Sequence, residues 1–421
     1  MEKKKEVFEE FAEILKEDIK RVGEIDEEEN VNLVGVKDVV KVGKIKQGMS
    51  DKQIKQLLEK GLLWDYIVCD ELDKKHKGDI ASKEVIFMCA LGRLVKDKKP
   101  YSFNCLVLSP SSAGKDHLIG SVLKLFPRDC YEIFARTSAK TFNYLHNLDD
   151  EPDFTYDGKI IYLKEITETN LNNEVMKELT SGEEEISEVP IPRPRTKLQA
   201  PGIDMLRVKG HPCVLSTTAT TIPTDEIRNR FNIVSLDLSE AQIKNAFVEE
   251  EGQYDEGIKK FISDLKPRNV GIPSKLFNFI KKNFPGKKQR EKRDFQKLLN
   301  YIKVIALFNG RKVANGNDYN RAKDIFMNAY SSCASIPLKD IDNRIVKMLE
   351  RVEEPMSAKN IHSEIGGIIA IQNLYVRLRN LVMKEVLEEM TDRVGGYIVN
   401  NYVLTEEYKD KKPFTLPNYE Q

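Results

Sequence analysis

Apolar residues first recur at helical spacing near the start of the chain. Phe8, Phe11, Ile14, Leu15 and Ile19 would share one face of a helix in a segment rich in Lys and Glu. The polar stretch "GEIDEEENVN" then predicts a loop or linker. Two further helical patterns, "SDKQIKQLLEKGLLWDYIVCDEL" and "SKEVIFMCALGRLVK", occupy residues 50–97. After them the period changes. "FNCLVLS" is a short continuous apolar run, which predicts a buried strand, and a helix is expected from Gly114 to Leu125. "CYEIFA" and "KIIYLKEI" predict two more strands, with the helix "SAKTFNYLHNL" between them and a turn at "YDG". A helix around "NNEVMKELTSG" precedes a hairpin-like pair, "EISEVPIPR" and "DMLRVKG", joined by "PRPRTKLQAPG". "HPCVLSTTA" and "NIVSLDL" complete the strands. Strands alternating with helices predict a parallel sheet covered on both faces, an α/β protein with an αβα core.

Downstream the pattern turns helical through "PSKLFNFIKKNF", "KRDFQKLLNYIKVIALFNG" and "NGNDYNRAKDIFMNAYS", and Pro337 marks a break. The last 80 or so residues read as three helices (340–352, 357–365 and 371–390) and then two short strands in "DRVGGYIVNNYVL". Helix, helix, helix, β-ribbon is the winged-helix order. The expected domains are a charged helix and linker (1–45), a helical lead-in (46–100), a core with a phosphate loop (101–245), a helical lid (246–335), a winged helix (336–408) and a flexible tail (409–421).

Composition narrows the classes. Lys+Arg and Asp+Glu both number 67, so no global charge draws the chain to nucleic acid or a membrane, and any such contact must be local. The six cysteines are scattered without metal-knuckle spacing, which predicts neither a zinc site nor a disulfide framework and fits a reducing, cytoplasmic setting. The charged N-terminus lacks the apolar core of a signal peptide, and no run of about 18 apolar residues predicts a membrane span.

The chemistry concentrates in "LVLSPSSAGKDHLIG". A phosphate-binding loop reads G-x-x-x-x-G-K-[ST]. Gly114 and Lys115 are in place, Ser109 stands for the first glycine, and Asp116 stands for the hydroxyl residue. The loop follows a strand and opens a helix, so the N–H groups of Ser111, Ser112, Ala113, Gly114, Lys115, Asp116 and His117 are candidates to face phosphates, with Lys115 on the β/γ-phosphates. Four apolar residues ending at Leu163 lead into Lys164-Glu165, where a Walker B strand carries Asp-Glu. There the Asp orients Mg2+ and the Glu polarises the attacking water. The loop has gained a carboxylate and the strand an ammonium, which predicts an Asp116–Lys164 salt bridge with less negative charge left for Mg2+. Two outcomes stand open, direct metal ligation by Asp116 with slow hydrolysis, or weak binding with little turnover. Plain degeneration is a third.

Taken in order, "SSAGKDHLI", "RTSAKTFNYL", "IIYLKEI", "ELTSGEE", the hairpin before "GHPCVLSTT", "EIRNRF" and "KRDFQKLLNYIKVIALF" resemble an AAA+ ATPase over about residues 50–325. The resemblance is nearest to the pre-sensor-1 hairpin group, which includes minichromosome-maintenance-like helicases and phage and plasmid replication ATPases with an SSAGK loop. It implies ATP and Mg2+ as cofactors, Lys115 in the phosphate loop, and Glu165 as the catalytic glutamate. It further implies Thr217 or Thr218 as sensor 1, Arg230 (or Arg228) as an arginine finger acting on a neighbouring subunit, and Arg293 as sensor 2. A finger acting in trans implies a homo-oligomeric ring of the hexamer type.

Local positive charge marks where DNA would bind. The hairpin tip carries Arg193, Arg195 and Lys197; the run "KKQREKR" is basic; the third helix of the terminal module carries Arg377, Arg379 and Lys384, with Arg393 and Tyr397 on the wing. Three glutamates in "KEVLEEM" oppose that last reading. The expected function is an ATP-dependent, DNA-binding, helicase-like or initiator ring of a replication or mobile-element system. The alternative is a weakly hydrolysing nucleotide switch that acts through its winged helix.

Overall fold

The computed structural model describes residues 48–110, 113–135, 146, 149–171, 173–182, 184–193, 202–219, 225–237, 252–285, 291–334, 340–352, 354–383, 386–394, 397–406 and 416–419. The expected N-terminal helix, most of "SAKTFNYLHNL", Ser111, Ser112, Arg195, Lys197, Lys384 and the first part of the basic run lie outside the described residues. So do the side chains of Arg193 and Arg393.

Five strands, β1 (Cys105–Leu108), β2 (Tyr131–Phe134), β3 (Ile160–Leu163), β6 (Cys213–Thr218) and β7 (Asn232–Ser235), form a parallel sheet in the order β2-β3-β6-β1-β7. The runs of β1 and β3, the middle of β7 and the first half of β6 are apolar at successive positions because both faces are covered, whereas the edge strand β2 is only partly buried. Alternate residues divide between two cores. Cys105, Val107, Ile160, Tyr162, Cys213 and Leu215 face one, and Leu106, Ile161, Leu163, Val214 and Ile233 face the other. The hairpin β4 (Ile186–Arg193) and β5 (Gly202–Lys209) pairs antiparallel as expected, and lies in the chain between β3 and β6.

The first core takes in α1 (Asp51–Glu59), α2 (Ile80–Leu91) and α3 (Lys115–Leu123). Helix α2 is buried from Ser82 to Leu91, which is why its sequence shows no polar face. On the second face lie α4 (Glu174–Ser181) and α5 (Asp225–Arg230). At the edge where the strands start, buried Asn104 donates to the carbonyls of Thr180 and Arg230, each at 3.0 Å, and accepts from Val214 N at 3.0 Å. The loops are thereby fixed at the end of the sheet remote from the phosphate loop.

The segment expected as a lid forms α6 (Glu256–Asp264), α7 (Ser274–Asn283), α8 (Glu291–Phe308) and α9 (Gly316–Ala334). Ile258, Ile280, Leu298, Ile302 and Ile325 from these helices belong to the same core as Val107 and Ile119. They are built into the body of the sheet domain. Residues 340–404 close a core of their own around Ile345, Leu349, Ile361, Leu374, Leu378 and Leu404. Helices α10 (Asp340–Val352), α11 (Ala358–Glu364) and α12 (Ile371–Met383) pack there with β8 (Met356–Ser357), β9 (Leu387–Val394) and β10 (Tyr397–Leu404) in the antiparallel order β8-β10-β9.

The tail expected to be flexible is docked where it is described. Leu416 is buried in the main core, and the Tyr319 hydroxyl donates to Pro417 O at 2.9 Å. Asn320 accepts from Tyr419 N at 2.8 Å and donates back to Tyr419 O at 3.3 Å, while the Tyr419 ring meets Phe279 edge-on at 4.9 Å. Two aromatic or aliphatic anchors in a polar peptide suffice to seat it, a signal too short for periodicity to show.

Candidate nucleotide site

The site lies at the edge where β1 ends, the edge at which parallel α/β sheets bind ligands. Ser109 N donates to Thr218 O at 3.3 Å, so the sheet pairing carries one residue into the loop. Gly114 caps α3 with φ 90°, a left-handed conformation that a side chain disfavours. Lys115 opens the helix. Its side chain is buried and Nζ donates to Pro110 O at 2.9 Å, so the ammonium folds over the loop as an arriving phosphate would require.

Asp116 follows, exposed, and its Oδ1 accepts from the Tyr162 hydroxyl at 2.6 Å and from the Thr217 hydroxyl at 3.0 Å. Thr217 Oγ1 in turn accepts from Glu165 N at 2.9 Å. This network joins the helix after the loop, the end of β3 and the end of β6. Burial and the adjacent Asp116 carboxylate both raise the Tyr162 phenol well above its usual value, so it remains a neutral donor. Glu165 is exposed at the strand end with φ 52°. A non-glycine residue held there stores strain, and strain of this kind gathers at functional sites.

The expected Asp116–Lys164 salt bridge is absent among the described residues. Tyr162 lies on the face toward α3, and its hydroxyl occupies Asp116 Oδ1. Lys164 extends the pairing of β3 with β2 through its N–H to Phe134 O at 3.0 Å. Of the two sensor candidates, Thr217 brings its hydroxyl to the network, whereas Thr218 contributes its carbonyl to Ser109.

Two residues outside any sequence motif stand beside the loop, His76 and Asp79. His76 Nδ1 lies 3.1 Å from His117 Nδ1, and His76 Nε2 lies 2.8 Å from Asp79 Oδ2. Asp79 Oδ1 accepts from Asp237 N at 2.7 Å, which ties the segment to the end of β7. A Cβ on Gly114 would sit 3.8 Å from His76 Cε1. They precede the loop by thirty residues or more, so no local spacing relates them to it.

A family model described as "MTBMA_p00010 P-loop domain" matches residues 45–282, more than half of the chain. The chain belongs to this P-loop domain family. No curated protein matches it. As a P-loop domain it is a nucleotide-binding fold, and the match covers the loop, the whole parallel sheet and the hairpin. Among the described residues no helix is long and apolar enough to cross a membrane.

Donors for a nucleotide and its Mg2+ are present in the P-loop domain. The first turn of α3 offers backbone N–H groups, Lys115 offers its ammonium, and among the described residues Asp116 Oδ2 has no hydrogen-bond partner. Mg2+ on a nucleotide commonly needs only one or two carboxylates, with water and phosphate oxygens filling the rest.

The arginines lie elsewhere. Arg230 is 2% exposed; its Nε donates to Glu226 O at 3.3 Å and it pairs with Glu226 Oε1 at 3.3 Å. Burial lowers its guanidinium from the usual value, and Glu226 opposes that shift. Arg228 is also buried, and Lys297 Nζ donates to Arg228 O and Phe231 O at 3.0 and 3.1 Å. The Arg293 guanidinium stacks on the Tyr101 ring at 5.0 Å. Asn232 pairs with Cys105 at the start of β1, so these residues sit at the opposite edge of the sheet from Lys115, a strand length of ~13 Å away. Among the described contacts, those of Arg230 and Arg293 lie at this end of the sheet. In the terminal module Arg377 is paired with Asp342 at 2.8 Å, while Arg379 is exposed. Exposed Glu388, Glu389 and Asp392 line β9.

Proposed function

We propose that this P-loop protein is an ATP- and Mg2+-dependent ATPase of the AAA+ pre-sensor-1 hairpin type, acting on DNA as a helicase-like or initiator ring. The observation that carries the reading is the hairpin β4–β5 directly before β6, with Thr217 near the end of that strand bonded to both Asp116 and the Glu165 backbone. A hairpin in that position gives the group its name, and a polar residue reporting between Walker B and the phosphates is the sensor 1 role. Lys115 binds the β/γ-phosphates, Glu165 polarises water, and Arg230 serves a neighbour's site across a subunit interface. The edge location of Arg230, remote from its own loop, suits action in trans. The hairpin tip with Arg193, Arg195 and Lys197 grips DNA phosphates, and the helix–strand–helix–helix–hairpin order of residues 340–404 supports a winged helix with Arg379 facing outward.

The test is phosphate release with and without single-stranded and duplex DNA, alongside gel filtration with and without ATP. A motor gives DNA-stimulated turnover and ATP-stimulated assembly. A second reading, a nucleotide switch, draws support from the exposed acidic residues of β9 and the Glu226-bound Arg230. It predicts ATP binding with little turnover under every condition.

A further inference from the structure

In a P-loop NTPase the Mg2+ is held by a hydroxyl at the start of the loop's helix and by a carboxylate from the Walker B strand. Here the helix supplies the carboxylate of Asp116. The hydroxyl comes from the strand, as Tyr162, and the two are bonded at 2.6 Å. We infer that Asp116 and Tyr162 have exchanged the two roles between helix and strand, so that Asp116 Oδ2 is the chain's ligand for the nucleotide's divalent cation and Tyr162 is its positioning residue.

Three observations converge on this. First, the reach is right. Tyr162 lies two residues before the position at which a Walker B Asp stands, and a phenol extends further from the backbone than a carboxylate, so its hydroxyl still arrives at α3. Second, the charge is conserved. A carboxylate with a neutral hydroxyl carries −1, as the ordinary pair does, whereas a pair with Lys164 would carry none. Third, the carboxylate is oriented. Two hydroxyls, from Tyr162 and Thr217, both donate to Oδ1, and among the described residues Oδ2 is left without a partner on an exposed side chain. Thr217 also accepts from Glu165 N, so the strand end that bears the water-polarising carboxylate is fixed to the same anchor. The altered loop thus retains its means of binding a cation.

This inference rests on the nucleotide-site reading, and the experiment separates the two. A fluorescent ATP analogue is titrated into the full chain in EDTA and in Mg2+, and Mn2+ bound with ATP is followed by electron paramagnetic resonance. Lys115→Ala should lose binding in both conditions. Asp116→Asn should bind the analogue in EDTA at least as well as the parent, yet gain almost nothing from Mg2+. Tyr162→Phe and Thr217→Val should each weaken the Mg2+-dependent part by about three- to tenfold, the size of one ordinary hydrogen bond. Both should also alter the Mn2+ signal. Lys164→Ala should leave the Mg2+ effect intact. A parent that binds no nucleotide overturns the site reading and this inference together. A parent that binds nucleotide, with an Mg2+ effect and Mn2+ signal indifferent to Asp116→Asn or to Tyr162→Phe and Thr217→Val, overturns the exchange alone. Melting curves of each variant identify any loss of fold, and the two independent hydroxyl deletions guard against one misfolding.

Discussion

Glu84 lies inside α2, and replacing it with glutamine should make the protein more stable in alkali and leave it nearly unchanged in acid. Its carboxylate accepts from Trp64 Nε1 at 3.3 Å and from Asn328 Nδ2 at 3.4 Å, with Arg321 NH1 at 3.8 Å. Burial pushes this carboxyl up to about 7, against the pull of Arg321. In the unfolded chain it would titrate near ~4.3. The native state therefore holds a proton that the unfolded state has released between those two values. Stability then falls as pH rises through that window and is level above it. At about 1.4 kcal/mol per pH unit of separation, the ionised carboxylate costs roughly 4 kcal/mol at pH 8. Glutamine retains an acceptor for Trp64 and carries no charge, and Arg321 keeps its ion pair with Asp65. Allowing for weaker hydrogen bonds, Glu84→Gln should gain ~1–3 kcal/mol at pH 8, or about 2–6 °C in melting temperature. Near pH 4.5 the two proteins should melt within about a degree of each other. Melting temperatures of both across pH 4.5–8.5 provide the measurement. Parallel profiles, or a mutant that melts lower at pH 8, would refute the reasoning.

Neutralising Arg193, Arg195 and Lys197 should weaken DNA binding and reduce the log–log salt slope by about 2–3 on duplex; an unchanged slope would locate the DNA elsewhere. Mixing Arg230→Ala with Glu165→Gln subunits should restore part of the turnover that each lacks, because some interfaces then pair an intact glutamate with an intact arginine. No recovery at any ratio, with both variants assembling, would exclude a finger in trans. Ending the chain at residue 415 should raise hydrogen exchange along α9 and lower the melting temperature by a few degrees, since the buried Leu416 and the paired bonds between Asn320 and Tyr419 are lost. Unaltered exchange in α9 would show that this docking contributes no stability.

Continuous apolar runs make the central strands legible, because a strand buried on both faces has few polar positions to confuse it. Cys105–Leu108, Ile160–Leu163 and Cys213–Thr218 all emerge from composition alone. The loop was legible through Gly114 and Lys115, whose backbone and charge requirements are local. What escaped was assembled by the fold from distant pieces. Tyr162 reads as one more apolar strand residue, and only the packing of β3 beside α3 shows that its hydroxyl, not Lys164, meets Asp116. His76 and Asp79 come from a segment ahead of α2, where nothing in the spacing signals a neighbour. Arg230 was chosen for its place in a motif, and sequence carries no information on burial at the end of a six-residue helix.

The docking of residues 416–419 on α9 changes the mechanics of the terminal module. The chain leaves α9 near Ala334, builds the module of residues 340–404, and returns to the same helix at Asn320. The module is therefore a closed loop of chain suspended from one beam, rather than a pendant on a single thread. A load applied to it divides between two attachments on α9, one covalent and one reversible. Helix α9 packs against α2 and β7, the strand that begins beside Arg230. A pull on the module would thus reach β7 at the edge of the sheet, and the Tyr419 anchor, being non-covalent, would give way before the covalent link.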